Sequence, residues 1–80
     1  GSSKEEILKE LEDLQRRLIE ELKKLQERVV ELLEELIKRL RDRGRDDKHL
    51  KRLVKEVRRL SEEVLRSIKE VSDRVRYQLR

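Results

Sequence analysis

The sequence predicts an all-α protein, a two-helix antiparallel hairpin that assembles into a nearly straight multi-helix bundle. Three observations support this prediction. Charged residues make up 52% of the 80 residues, a composition typical of long helices and coiled coils. The aliphatic residues Leu, Val and Ile supply every apolar side chain except Tyr77, and they recur at helical spacing. Only one glycine-containing break interrupts this pattern, at residues 44–46.

The first helix is predicted over residues 4–43. Ser3 and Glu6 match the S-x-x-E capping box, in which the serine side chain accepts a hydrogen bond from a backbone amide. Residues 1–3 are interpreted as a leader that ends in this cap. Arginines precede Gly44, a residue suited to the left-handed conformation in which many helices end. Together these features mark the end of the helix.

Residues 44–46 are predicted to form a loop, and residues 47–80 a second helix. Either Asp46 or Asp47 can cap this helix, because both carboxylates lie at its positive end. So short a connection requires the two helices to lie antiparallel. The 80 residues therefore form a single helical hairpin.

Both helices follow an 11-residue repeat. Between Ile7 and Leu40 the main apolar positions are separated by 4, 3, 4, 4, 3, 4, 4, 3 and 4 residues. The blocks follow the pattern x-x-φ-φ-x-x-φ-x-x-φ-[Q/S], where φ is aliphatic, with Ile37 replacing the Gln in one block. Eleven residues in three turns come close to the period of a free α-helix, which predicts a nearly straight bundle instead of a heptad-wound coil.

The last position of each block points into the apolar stripe, between positions 4 and 7. We predict that its polar occupants are buried at an interface, whereas Ser67, at position 6, flanks the stripe. Two interpretations remain open: glutamine and serine pair in hydrogen-bond networks, within one hairpin or between copies, or serine fills a tight helix contact and the glutamine amides reach water. The predicted buried polar residues are Gln15, Gln26, Ser61 and Ser72.

The apolar stripe is wider than one hairpin can cover. Two helices in contact bury only the facing part of each stripe, and the remainder exceeds the apolar patches of most soluble monomers. The sequence therefore predicts self-association, with a dimer forming a four-helix bundle favoured over a trimer, a higher ring or a heteromeric partner. The predicted apolar interface consists of Leu11, Leu18, Leu22, Leu25, Val29, Leu33, Leu36, Val57, Leu60, Val64, Ile68 and Val71.

No catalytic residue, cofactor, metal or small-molecule ligand is predicted. His49 is the single histidine and there is no cysteine, whereas a metal site needs several ligands. No serine has a histidine and an acid at helical spacing, so we expect no nucleophile and no enzyme activity.

Two binding functions are weaker alternatives, and we expect neither nucleic acid nor a membrane as a partner. The basic residues near the loop are diluted by acids and lack interleaved aromatics for base stacking. The amphipathic stripes have no Trp or Phe to anchor them at a membrane surface. No apolar run is long enough for a membrane span or a signal peptide. We therefore expect a soluble protein without a targeting signal, produced in the cytoplasm of an expression host.

In these features the chain resembles computationally designed (de novo) helical-hairpin homo-oligomers, a family of helical bundles with buried hydrogen-bond networks. The resemblance covers the whole chain: idealised 11-residue blocks, Leu/Ile/Val stripes, a short Gly-containing loop, Glu/Lys/Arg surfaces, and Gln or Ser inside the stripe. It implies a structural, self-assembling protein with no catalytic activity, in which polar networks specify partner and register. Half of a designed heteromeric bundle is the alternative within the same family.

Overall fold

The computed structural model describes residues 3–80, so the predicted leader residues 1 and 2 lie outside the described residues. Two helices, α1 (Lys4–Asp42) and α2 (Lys48–Leu79), pack against each other as an antiparallel hairpin. Residues 3–80 contain no strand. The hairpin measures 63 × 16 × 10 Å, the shape of two long helices lying side by side. The predicted all-α hairpin is confirmed.

α1 begins and ends with the caps that its sequence indicates. The Ser3 side chain accepts a hydrogen bond from the Glu6 amide at 3.2 Å. The helix ends at Asp42, one residue before the predicted end. Gly44 adopts a φ of 77°, the left-handed conformation, and its amide donates to the Arg41 carbonyl at 2.9 Å. This turn satisfies a carbonyl at the helix end and reverses the chain toward α2.

The two aspartates before α2 have different functions. Asp47 caps the helix, because its carboxylate accepts a hydrogen bond from the His49 amide at 2.8 Å. Asp46 instead pairs with Lys51, with 2.8 Å between the carboxylate oxygen and the ammonium nitrogen. The hydrogen bond from Lys51, and then its charge, hold the pKa of Asp46 below its usual 3.8. Asp46 and Lys51 thus connect the loop to the first turns of α2.

Ion pairs cover the outward surfaces of both helices. Glu35 and Arg39 form the i,i+4 pair that their spacing predicts, at 2.9 Å. Arg59 contacts Glu56 at 2.7 Å and Glu63 at 2.5 Å. The hydrogen bond from Arg59 lowers the pKa of Glu56, and the same bond raises the pKa of Arg59. All these groups are exposed, so they support the individual helices more than the contact between them.

Candidate association face

The contact between the two helices, here called the seam, contains few fully buried side chains. Val30 is the one buried apolar residue among residues 3–80, with 7% of its surface exposed. The other buried residues are Ser61, 7% exposed, and Ser72, 4% exposed. Val30 occupies position 4 of the repeat and both serines occupy position 11. The seam therefore forms along positions 4 and 11, and small side chains line its closest part.

The buried serines bond to their own helix. The Ser61 hydroxyl donates to the Val57 carbonyl and the Ser72 hydroxyl donates to the Ile68 carbonyl, each at 2.8 Å. These are i−4 bonds, which satisfy a short side chain inside a helix without a partner on the neighbouring helix. Within residues 3–80 no buried side-chain polar atom is left without a hydrogen-bond partner. In the hairpin, serine thus fills a tight helix contact.

A glutamine–arginine pair connects the helices near their open ends. Gln15 accepts a hydrogen bond from the Arg76 guanidinium at 3.0 Å, in a partly buried position. Arg76 lies four residues, about one helical turn, beyond Ser72. Ser72 occupies on α2 the repeat position that Gln15 occupies on α1, which makes it the candidate partner if glutamine and serine pair. The long arginine side chain reaches the amide, whereas the serine hydroxyl is already bonded to Ile68. Gln26, at the equivalent repeat position, is half-buried like Gln15.

A set of larger aliphatic side chains lies outside the seam. Eight of them, at positions 3 and 10 of the repeat, are 45–60% exposed, and we call this set the apolar face. Each helix contributes four. Because the helices are antiparallel, equal repeat positions on α1 and α2 turn toward the same side of the hairpin. The apolar face consists of Leu14, Leu18, Leu25, Leu36, Leu53, Leu60, Val64 and Val71.

A groove between the helices shows the two halves of this face meeting. Leu14 and Leu18 of α1 and Val64 and Val71 of α2 line one groove of about 310 Å³. Ser67 also lines it, as expected for a residue at position 6 beside the stripe. Leu32 occupies position 6 on α1, where it is 54% exposed and widens the apolar surface. The apolar face is thus a continuous groove at this level of the hairpin.

The structure divides the predicted interface into two parts. The predicted stripe comprises positions 3, 4, 7 and 10, but a single neighbouring helix covers only its near side. Half of the predicted residues lie on the apolar face, namely Leu18, Leu25, Leu36, Leu60, Val64 and Val71. The other half are half-buried toward the seam: Leu11, Leu22, Val29, Leu33, Val57 and Ile68.

Two residues of the face, Leu14 and Leu53, were missed by the sequence prediction. Leu14 occupies position 10 and Leu53 position 3 of the same repeat. Both are about half exposed, like the other six members. The signal that identifies them was therefore present in the 11-residue spacing.

Residues 3–80 contain neither a metal-ligand cluster nor a membrane-spanning helix. Among residues 3–80, no cluster of His, Asp and Glu side chains has the arrangement of a metal site. His49 is exposed beside the α2 cap. Neither described helix combines the length and apolarity that a membrane crossing requires.

Comparisons with known proteins give no further assignment. No protein-family model matches the chain, and neither a curated protein nor a solved structure matches it. The candidate function therefore rests on the apolar face and the seam.

Proposed function

We propose that this chain is a self-assembling structural protein of designed origin, and that its function is specific association with a second copy through the apolar face. One observation carries the proposal. Eight aliphatic side chains are about half exposed on one side of the hairpin, whereas Val30 is the single buried apolar residue among residues 3–80. The hairpin by itself thus leaves about half of the surface of these eight side chains in contact with water.

The free energy that this face can contribute is large. Burying a Val or Leu side chain completely is worth about 1.5–3 kcal/mol, so covering the exposed half of eight such residues stabilises each copy by about 6–12 kcal/mol. The total folding stability of an ordinary domain is about 5–15 kcal/mol. Association through the face therefore contributes a free energy comparable to the net folding stability of a whole domain.

The distribution of the face favours a dimer. Each helix contributes four residues at the same repeat positions, so both helices meet a similar environment when two faces pack together. Two hairpins packed in this way form a four-helix bundle, in which every helix directs one stripe inward. A trimer or ring with inner and outer helices requires a broader apolar face on one helix than on the other.

Polar groups at the seam support a structural role over a catalytic one. The Ser61 and Ser72 hydroxyls are bonded to backbone carbonyls of their own helix, which leaves no free nucleophile there. Gln15 and Arg76 form one polar contact between the helices, and we propose that it helps to fix their register. The wider hydrogen-bond network of the resembled family has no further support in these contacts.

Thermal unfolding at different protein concentrations tests the proposal. If folding is coupled to association, the unfolding midpoint rises with concentration, because dilution favours the dissociated chain. We expect a clear rise in the midpoint, measured by circular dichroism, over a hundredfold concentration range. A highly helical protein with a constant midpoint contradicts self-association. A rise that appears only when a second protein is added supports the heteromeric alternative.

A further inference from the structure

The two ends of the hairpin carry different charge. The loop end, residues 38–52, contains eight basic and three acidic side chains, a net charge of +5. The open end, residues 4–13 and 71–80, contains five basic and six acidic side chains, a net charge of −1. Since the hairpin is 63 Å long and charges are screened over about 8 Å at physiological ionic strength, each end interacts only with what lies beside it.

Two faces of this shape can pack with their helices aligned in two ways. A two-fold axis along the helices places both loops at the same end, and then α1 of one copy lies on α2 of the other. A two-fold axis across the helices places the loops at opposite ends, and then α1 lies on α1 and α2 on α2. Residues of the face occupy positions 3 and 10 of the same repeat on both helices, so the apolar contact does not discriminate between these arrangements. The charges do.

Loops at the same end bring two groups of net charge +5 together. In this arrangement residues 38–45, with five basic and one acidic side chain, lie beside residues 48–56 of the second copy, with four basic and one acidic. Loops at opposite ends place residues 38–45 beside residues 4–13 of the second copy, which carry five acidic and two basic side chains. All but one of the charged side chains in these segments are exposed and therefore available across the edge of the interface.

We infer that two copies associate face to face with their loops at opposite ends, so that the acidic start of α1 lies beside the basic end of α1 in the second copy. This inference rests on the proposed self-association and adds the direction of the partner. The competing arrangement places residues of net charge +4 beside residues of net charge +3. This arrangement places net +4 beside net −3 along α1, and its only like-charge contact is the weaker one along α2, between residues 48–56 (net +3) and 71–80 (net +2), so the charges favour it. At each extremity of such a dimer, the loop of one copy lies beside the open end of the other.

Distance measurements between spin labels test the direction. A nitroxide on Arg45→Cys reports the loop, and one on Lys24→Cys reports the middle of the hairpin; both native side chains are exposed. For Arg45→Cys we expect a distance of about 60 Å between copies, the length of a 39-residue helix at 1.5 Å per residue. A distance of ~20 Å, about two helix spacings, overturns the inference because it places the loops together.

The Lys24→Cys label separates failure of the inference from failure of the proposed function. Lys24 lies near mid-length, so both arrangements predict a short distance of roughly 20–30 Å, a few helix spacings. A short distance at Lys24 with a short distance at Arg45 overturns only the direction. No dipolar coupling at either position overturns the direction and the self-association together. The Arg45→Cys change leaves the loop end at a net charge of +4, so the loop end stays basic and the same arrangement is expected.

Discussion

The seam and the apolar face lie side by side on the same hairpin, yet the most buried residues of the seam are small, whereas the face holds larger side chains that stay about half exposed. The seam buries Val30 and two serines, whereas the apolar face exposes six leucines and two valines. A chain that relied on its own core would place the larger side chains between its helices, because burial of a leucine contributes more than burial of a serine. This difference supports the proposal that the seam sets a close helix contact and that association through the face supplies the stabilisation.

The largest effect is expected when polar side chains replace leucines of the apolar face. We expect Leu25→Asn together with Leu60→Asn to weaken association at least about 100-fold, because a dimer then loses the burial of the exposed halves of four leucines, about 3–6 kcal/mol in all. The measurement is the dissociation constant from sedimentation. The matched control is Lys23→Asn with Lys55→Asn, two exposed positions on the opposite side of the same helices. If both variants weaken association equally, the apolar face is not the interface.

Enlarging the seam is expected to have the next largest effect. Ser61→Leu and Ser72→Leu insert large side chains where the exposed fraction is 7% or less, and overpacking of this kind costs about 1–3 kcal/mol. The free energy of unfolding in denaturant, at fixed protein concentration, measures the loss.

Ser67→Leu is the matched control for those variants, because Ser67 is exposed and lines the groove of the apolar face. We expect this variant to retain or increase stability, since the added leucine extends the face. Equal destabilisation by all three serine-to-leucine changes contradicts the distinction between seam and face.

A smaller effect is expected from the polar contact at the seam. Gln15→Ala removes the acceptor of the Arg76 hydrogen bond and is expected to cost about 0.5–1.5 kcal/mol, the usual net contribution of one such bond. Gln26→Ala is the control, since it occupies the same repeat position but Leu65 replaces the arginine at the equivalent place on α2. Denaturant unfolding of both variants provides the measurement. A larger loss in Gln26→Ala contradicts the role given to the Gln15–Arg76 contact.

The smallest expected effect is on pH dependence. The folded pKa values of Asp46 and Glu56 are depressed from about 3.8 and 4.5, so their contribution is present above those values and is lost as the pH falls through the lower, folded pKa values. Because both groups are exposed, we expect only a slight fall in the unfolding midpoint below about pH 4. Asp46→Asn with Glu56→Gln is expected to flatten that fall. A large fall at pH 5–7 contradicts this assignment, since neither group titrates there.

Much of this arrangement follows directly from the residue spacing. The capping serine, the left-handed glycine and the antiparallel hairpin are local consequences of residues close together in the chain, and the structure contains all three. The repeat also places Ser61 and Ser72 inside the stripe and Ser67 beside it. These features could be predicted because a helix fixes the direction of each side chain relative to its neighbours.

The division of the stripe into seam and face could not be predicted in the same way. Which side of the stripe meets the second helix depends on how the loop rotates α2 about its own axis, a three-dimensional property that the repeat leaves free. The same rotation brings Arg76 within reach of Gln15 and leaves Ser72 bonded to Ile68. From residue spacing alone, serine is one possible partner for glutamine. In the structure Gln15 instead contacts Arg76, which lies one helical turn beyond Ser72 on α2.

The mass of the folded protein in solution tests the central claim most directly. The hairpin leaves about half of each face side chain exposed, so the account predicts that the stable helical species is a dimer of twice the 9.8 kDa chain mass at micromolar concentration. Light scattering coupled to size-exclusion chromatography, with circular dichroism of the same fraction, gives mass and helicity together. A fully helical species of 9.8 kDa that persists at this concentration contradicts the account.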